Sequence, residues 1–415
     1  MNKKDLYKFN KKYINANNVK LAILFIPLLI LLIKTICFGE FNIKEFINIG
    51  ILVSFIIVFI CETLANLISN NINKYCEDGI KFDENYDNLI KKYSRAKLYS
   101  YHDDKNNKVI KYPVEVIINK KNNKSVLNIV IDNSHYNNRY ELPKQIKDNS
   151  EKLMEVHKYS VVYNNINVRI DDFIVNNNTI NIIYSKTTYF DSLITNRAMD
   201  YNLYDVRTIR EIFEPGPFLT PLSCSKLSNH LGFNGFVELS DGNIIFVHRS
   251  NNVSIAKSTW AASVSASFKS KYGLDDEQKL TLDGISNAIK NEIYDELKIN
   301  IEIPDLYKSI IAFYRDIIEG GKPQFLFYLK IDNFDKKSFL DNFKNNISKN
   351  KTNKNKDVVV DGFKFEFFTK EDLYNAEYNL DNIKIKGKVY KMMPSTIGTV
   401  AMLREFCLNN IKKQN

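Results

Sequence analysis

The chain has 415 residues, enough for two or more domains, and its hydrophobic fraction of 44% is sufficient for a sizeable core. Its formal net charge is +10, but the lysines are scattered among asparagines in loop-like segments, so the charge gives no reason to expect nucleic-acid binding. The five cysteines show no paired spacing, which argues against a disulfide framework and against a zinc site.

The N-terminal region combines a basic segment with two apolar runs. Residues 1–20 contain six lysines and one acid, and the runs Leu21–Phe38 and Phe46–Cys61 follow. Each run approaches the ~20 residues needed to cross the hydrocarbon layer of a membrane. A secretory signal peptide is the alternative for the first run, but no small-residue cleavage pattern separates it from the second. We therefore predict a two-helix transmembrane hairpin in residues 21–68.

The lysines also predict the orientation of this hairpin. Because cytoplasmic segments of membrane proteins carry an excess of lysine and arginine, residues 1–20 are expected in the cytosol. Two crossings return the rest of the chain to the same side, so we expect a membrane protein with both termini cytosolic. The lipid bilayer is then one partner, and the spans offer a surface for homo-oligomer formation.

Residues 71–215 are predicted to form a helical linker followed by a β-rich segment. Apolar and polar residues alternate in four stretches separated by asparagine-rich turns, namely Val114–Ile118, Val126–Ile131, Val161–Ile166 and Thr179–Tyr184. No motif in this segment indicates a chemical function.

Residues 216–415 contain a regular succession of predicted strands and one long helix. Two apolar runs joined by Asp241-Gly242 are typical of a β-hairpin. The predicted elements are the hairpin Phe236–Arg249, the strand Trp260–Phe268, the helix Asp283–Ile299, the strands Ile310–Arg315 and Gln324–Lys330, and the strand Phe363–Phe368. The Asn- and Lys-rich stretch Asn342–Lys356 is expected to be a flexible insertion.

The helix Asp283–Ile299 carries acids at a spacing that indicates a cation site. At helical period, Glu292, Asp295 and Glu296 project from a face beside an apolar stripe. Like charges crowded on one face are unfavourable unless a cation offsets them, and an all-oxygen cluster suits Mg²⁺ or Mn²⁺. The alternative is an acidic, solvent-exposed helix face.

The acids of this helix also resemble a family signature, the Nudix box of the Nudix hydrolases. The resemblance rests on the spacing of Asp283, Glu292, Asp295 and Glu296 and on the aliphatic Ile299. The family box has Glu where this chain has Asp283 and Asp295. The remaining departures are Glu277 and Lys298 where the box has glycine, and Asn291 where it has arginine.

The resemblance implies a fold, a reaction and a set of site residues. The fold class expected for the whole chain is α+β, with the transmembrane hairpin, a β-rich middle segment and a Nudix-like α/β/α sandwich in residues 216–415. Nudix enzymes hydrolyse a nucleoside diphosphate linked to another group, with a divalent metal that activates water. The implied metal ligands are Asp283, Glu292, Asp295 and Glu296, of which the last three are also catalytic, and the implied substrate-binding residues are Arg249, Trp260 and Glu319.

Two other functions remain open at this point. The departures from the box are consistent with a Nudix-like fold that has lost turnover, in which case the protein is a sensor of a nucleotide-like ligand that controls a membrane effector in stress or phage defence. A membrane-tethered scaffold is the third possibility, but it leaves the acidic spacing unexplained. Trp260 has two interpretations as well, a surface on which a base stacks or an ordinary core residue.

Overall fold

The computed structural model describes residues 84–103, 107–120, 126–155, 157, 164–203, 207–249, 256–303, 305–352 and 364–411. All of them belong to one compact unit, Ile80–Asn415. The structural statements below concern these residues.

The strands of the described residues lie mostly in one large sheet. In chain order they are β1 (Leu98–Asp103), β2 (Lys108–Asn119), β3 (Asn128–Asp132), β4 (Ile166–Asn176), β5 (Thr179–Thr188), β6 (Asn202–Leu203), β7 (Arg207–Thr208), β8 (Gly232–Glu238), β9 (Ile244–His248), β10 (Trp260–Ala261), β11 (Val264–Ser267), β12 (Ile310–Asp316), β13 (Lys322–Lys330), β14 (Lys364–Phe368), β15 (Glu377–Tyr378), β16 (Asn382–Ile385) and β17 (Lys388–Lys391).

Most of the helices are short, and three of them exceed ten residues. In chain order they are α1 (Tyr86–Lys92), α2 (Lys144–Lys147), α3 (Ser150–Glu155), α4 (Tyr189–Leu193), α5 (Ile209–Phe213), α6 (Ser270–Gly273), α7 (Leu282–Leu297), α8 (Leu306–Ser309), α9 (Lys336–Thr352), α10 (Lys370–Asn375) and α11 (Pro394–Ile411). Two 3₁₀ turns, Asn196–Ala198 and Leu222–Cys224, lie between them.

The large sheet has nine strands in the described residues and is mixed. Its main path runs β1-β2-β12-β13-β8-β9-β10, with β11 paired to β8 and β14 paired to β9. Only β13 and β8 run parallel within it. Smaller sheets are formed by β3-β5-β4, by β15-β16-β17 and by β6-β7.

Helices pack on the two faces of this sheet because alternate strand residues point to opposite sides. The apolar stripe of α7 is fully buried with Phe233, Phe325 and Phe327 in one core. The apolar side of α11 is buried with Phe236 and other residues of the opposite face in a second core. The sheet is therefore covered by α7 on one face and by α11 on the other.

Strands from the middle of the chain are built into the same unit. Strand β2 pairs with β12 in the large sheet. The first part of β4 pairs with two segments of the C-terminal part, since Asn167 lies opposite Lys269, just before α6, and Arg169 lies opposite His230, just before β8. These contacts fix the backbone of Lys269, which matters for the site described below.

Helix α7 is defined at both ends by its local sequence. The Thr281 side chain accepts a hydrogen bond from the Gly284 amide and caps the N-terminus. At the C-terminus, Lys298 adopts the left-handed conformation with φ of 58°, a position usually taken by glycine. The helix predicted over Asp283–Ile299 is therefore observed as Leu282–Leu297.

The fold class and the membrane localisation predicted from the sequence need correction. The described residues form a mixed α/β fold with several sheets. Among them, no helix is both long and apolar enough to cross a bilayer; α9 is rich in Lys and Asn, and α11 carries Arg404 and Glu405. The two-span hairpin is thus not supported, and the runs assigned to it, 21–38 and 46–61, lie outside the described residues.

The flexible insertion expected at Asn342–Lys356 is also wrong over its described part. Residues up to Thr352 belong to α9. Phe339 and Phe343 are one helical turn apart and lie against Phe365 of β14 with ring centroids at 5.1 and 4.7 Å. This aromatic contact attaches the helix to the sheet.

Candidate functional site

The acidic face of α7 holds a lysine ammonium group. Nζ of Lys269, which follows β11, lies 3.0 Å from Oε2 of Glu292 and 3.1 Å from Oδ2 of Asp295. The Tyr272 hydroxyl donates a further hydrogen bond of 3.0 Å to the same oxygen of Asp295. The cation that the acidic spacing requires is therefore supplied by the chain itself.

The other two acids of the predicted group differ in exposure. Asp283 is exposed in the first turn of α7, nine positions before Glu292. Glu296 is half-buried. Lys269 forms its ion pairs with Glu292 and Asp295.

Burial determines the electrostatics of the Lys269–Glu292 pair. The Glu292 side chain is 2% exposed, and its Oε1 atom has no hydrogen-bond partner among the described residues. Burial raises the pKa of Glu292 to about 7, although the Lys269 ammonium opposes the shift. Burial alone would lower the pKa of Lys269, but Glu292 and Asp295 outweigh it and raise that pKa.

These contacts overturn the predicted metal site. In the part of the chain that the structure describes, no group of three or more His, Cys, Asp or Glu side chains is arranged to hold a metal ion. The physical reason is that Lys269 occupies the space between two of the four acids, while Asp283 lies at the far end of the helix. Mg²⁺ or Mn²⁺ as the cofactor of a hydrolase stays a prediction.

The three predicted substrate-binding residues lie together elsewhere. Arg249, Trp260 and Glu319 line one cleft of about 60 Å³, which we call the central cleft. Its other polar lining residues are Arg197, Asn234, Thr259, Ser265, Asp316, Lys322, Gln324, Ser395 and Thr396. None of the four acids of α7 lines it.

An ion cluster forms one wall of the central cleft. The Glu319 carboxylate lies between two cations, with Oε2 at 3.4 Å from Nε of Arg197 and 3.3 Å from Nζ of Lys322. The Arg197 guanidinium also donates a 2.6 Å hydrogen bond to the Tyr189 hydroxyl. All three charged side chains are at least 90% buried, so their positions are tightly fixed.

The hairpin tip between β12 and β13 holds Glu319 in this place. Gly320 and Gly321 have φ of 64° and 80°, which only glycine adopts without strain. Arg210 donates hydrogen bonds of 2.9 and 2.8 Å to the carbonyls of Ile317 and Ile318. The tip is therefore rigidly anchored to the segment around α5.

A row of hydrogen-bonded polar side chains crosses the floor of the cleft. The Ser265 hydroxyl donates to Oδ1 of Asn234 at 2.8 Å, and Nδ2 of Asn234 donates to Oε1 of Gln324 at 3.0 Å. Asn234 also donates to the Tyr314 hydroxyl. The row thus spans the neighbouring strands β11, β8, β13 and β12, and it fixes the orientation of both amides.

Burial also shifts the charges at the ion cluster. Burial and the nearby Glu319 carboxylate raise the pKa of Asp316, whose side chain is hydrogen-bonded to Ser395. Burial alone would raise the pKa of Glu319, but Lys322 and Arg197 lower it. Glu319 therefore stays ionised more readily than Asp316, and the cleft carries more cationic than anionic charge near neutral pH.

Trp260 is a core residue that reaches the cleft. It is 7% exposed, and its ring makes edge contacts with His248 and Tyr390 at centroid distances of 5.0 and 5.7 Å. Nζ of Lys364 lies 5.5 Å from the ring centroid. The ring is thus largely covered, which favours the core interpretation over an open stacking surface.

Sequence reasoning missed Lys269, Arg197, Lys322 and Asp316. Lys269 stands 23 positions before Glu292, and contacts between separate elements, among them its β bridge to Asn167, bring it to α7. Arg197 follows a short helix with no motif around it. A single charged residue in a strand or turn has no periodicity, so no local signal predicts its partner.

Comparison with known proteins does not assign the chain to a family. No family model matches the sequence, and no curated protein is significantly similar to it.

Proposed function

We propose that Ile80–Asn415 is a Nudix-like binding module that holds a nucleotide-like anion in the central cleft without hydrolysing it. The observation that carries this proposal is the position of Lys269 between Glu292 and Asp295. It supports binding over turnover because Lys269 pairs with two of the acids, Glu292 and Asp295, that a hydrolase would need to bind its metal.

An ammonium group cannot replace a divalent metal in this chemistry. A metal polarises the phosphate oxygens and lowers the pKa of a bound water to make a nucleophile. Lys269 has a single positive charge, and its pKa is raised, so it neither binds water as a Lewis acid nor accepts a proton near neutral pH. The acidic face of α7 is therefore better explained as part of the folded framework.

The charges of the central cleft support an anionic ligand. Arg197, Arg249 and Lys322 contribute three cationic side chains against Asp316 and Glu319. Arginine presents several donors in a fixed plane, which suits phosphate oxygens. Ser395 and Thr396 of the first turn of α11 also line the cleft, and the N-terminal end of a helix carries a partial positive charge.

The size of the cleft suggests how such a ligand is held. A volume of about 60 Å³ has room for a group of phosphate size, and the rest of a nucleotide would extend to the cleft mouth. The amides of Asn234 and Gln324 on the floor are fixed by their neighbours. They would supply polar contacts to the part of the ligand that enters deepest.

Calorimetric titration of the full-length protein with a panel of nucleoside mono-, di- and triphosphates tests the proposal. We expect saturable binding of at least one of them, both with Mg²⁺ and with a chelator. Arg249→Gln should weaken that binding at least tenfold, the loss of about 1.4 kcal/mol, because it removes a charged contact. Arg207→Gln is the matched control, since Arg207 is exposed and does not line the cleft.

The hydrolase function is the competing outcome of the same experiment. It predicts release of a nucleoside monophosphate or phosphate that depends on Mg²⁺ and is abolished by Glu296→Gln. Binding that is equal in wild type and Arg249→Gln would contradict the assignment of the ligand to the central cleft.

A further inference from the structure

A second cleft lies in the β-rich middle segment, in which no sequence motif indicates a chemical function. It has a volume of about 410 Å³ and lies between the small sheet β3-β5-β4 and the 3₁₀ turn Leu222–Cys224. We call it the lateral cleft. Among its lining residues are His135, Arg139, Asp171, Ser185 and Lys226.

A β-bulge directs one carboxylate into the lateral cleft. The register between β4 and β5 shifts between Ile170 and Asp172, so Asp171 falls outside the regular pairing. Bulges commonly redirect a side chain next to functional sites. The Asp171 carboxylate is 13% exposed and accepts hydrogen bonds from Arg169 and from the Ser185 hydroxyl, the latter at 2.7 Å.

The same carboxylate orients a histidine at the cleft mouth. Nδ1 of His135 lies 3.1 Å from Oδ2 of Asp171, and the His135 side chain is 47% exposed. A carboxylate at one ring nitrogen fixes the orientation of the ring and favours a proton on that nitrogen. In the described residues no partner binds Nε2 of His135, so this nitrogen is available to a ligand.

The charges around the cleft mouth favour an anion. Arg139 and Lys226 are exposed cations in the lining, and Lys186 lies opposite Arg139 in a β bridge. Burial and, to a smaller extent, the Arg139 guanidinium lower the pKa of Lys186. Asp171 is already neutralised by Arg169, so Glu141 and Asp172 are the lining acids that oppose the cations.

We propose that the lateral cleft is a second binding site, which takes a small oxyanion such as the phosphate group of a phosphomonoester. His135 meets the ligand through Nε2, and Arg139 and Lys226 supply the charge. Asp171 is a positioning residue, which holds His135 in place without touching the ligand.

Histidine side-chain NMR of the full-length protein, labelled with ¹⁵N at histidine, tests this site directly. Sulfate is the probe, because it keeps its double charge around neutral pH. The His135 signal, identified by its loss in His135→Asn, should shift to saturation with sulfate.

Two arginine variants separate specific from general charge effects. Arg139→Gln should reduce the sulfate affinity reported by His135, whereas the exposed Arg207→Gln should leave it unchanged. A further arm compares inorganic phosphate with phenyl phosphate, and tighter binding of the ester would identify an esterified ligand.

The outcome that overturns the proposal is equally specific. A His135 signal that does not saturate with sulfate, or that responds equally in wild type and Arg139→Gln, would contradict an oxyanion site. Because this signal reports the lateral cleft alone, its result is independent of nucleotide binding in the central cleft.

Discussion

At the scale of single residues, Lys269 is the side chain that matters most for the proposed function. It neutralises one almost fully buried carboxylate, Glu292, and a second, partly exposed one, Asp295. Removing one partner of a buried ion pair leaves the other charge without compensation. The pair therefore contributes to stability, and its loss can be measured.

Lys269→Met should lower the free energy of unfolding by about 3 kcal/mol at pH about 8, where Glu292 is ionised, because this carboxylate would be left buried without its cation. Urea unfolding measures this change. Lys269→Met combined with Glu292→Gln should recover most of the loss, since the double variant has no unpaired buried charge. A single variant as stable as wild type would show that the pair is not formed.

Glu292 should also make stability depend on pH in a defined direction. Its pKa is raised to about 7 in the folded protein, so between its unfolded value and about 7 the folded state holds a proton that the unfolded state has released. The stability associated with this proton is fully present below the unfolded pKa and is lost as the pH rises towards 7. The shift corresponds to about 3 kcal/mol.

Unfolding of wild type and Glu292→Gln at several pH values measures this contribution. The variant should gain stability relative to wild type as the pH rises through that window. Parallel pH profiles for the two proteins would contradict a raised pKa at Glu292.

At the scale of elements, the close approach of α6 and α7 depends on two glycines. A Cβ atom at Gly284 would lie 1.9 Å from the carbonyl oxygen of Gly273, and backbone cannot move aside as a flexible side chain can. This contact brings the start of α7 against the segment that carries Lys269. The glycines therefore position the acidic helix face relative to its cation.

Gly284→Ala should destabilise the protein by about 2 kcal/mol or more, because overpacking forces the two helices apart. Thermal unfolding provides the measurement, and Asn287→Ala is the control, since Asn287 is exposed on the same helix. An equal melting temperature for Gly284→Ala and wild type would show that α6 and α7 are not in close contact.

Local patterns in the sequence predicted the elements better than the contacts between them. The stripe Ile285, Ile289, Ile293 and Leu297 predicted α7 and the side that it buries, because burial follows the helical period. Phe339 and Phe343 are four positions apart, which is also typical of one face of a helix. The Asn- and Lys-rich composition of the segment instead favoured a flexible insertion. Lys269 could not be predicted as a partner of Glu292, because strand pairing with Asn167 positions it.

At the scale of the whole molecule, the middle segment and the C-terminal part share one core. Ile182 of β5 is fully buried in the same cluster as Phe313 of β12 and Ile289 of α7. The function predicted for residues 216–415 therefore depends on strands that precede them. The sequence does not indicate this dependence, since the pairing of β2 with β12 joins segments almost 200 positions apart.

Ile182→Ala should lower the free energy of unfolding by about 3 kcal/mol through the cavity that it leaves. Trp260 is the single tryptophan and lies in β10 of the large sheet, so its fluorescence reports unfolding of that sheet. The Trp260 transition should shift with Ile182→Ala, although Ile182 lies in the small sheet. An unchanged Trp260 transition would show that the two sheets unfold separately.

In the proposed function, the central cleft holds a nucleotide-like anion that the acidic face of α7 does not hydrolyse. Trp260 lines the cleft, so titration of its fluorescence with the nucleotide selected by calorimetry, followed by chromatography of the recovered ligand, is the most direct test. We expect a saturable change that Arg249→Gln weakens at least tenfold, with the nucleotide recovered intact in the presence of Mg²⁺. Recovery of a cleaved nucleotide, or a change that is identical in Arg249→Gln, would contradict it.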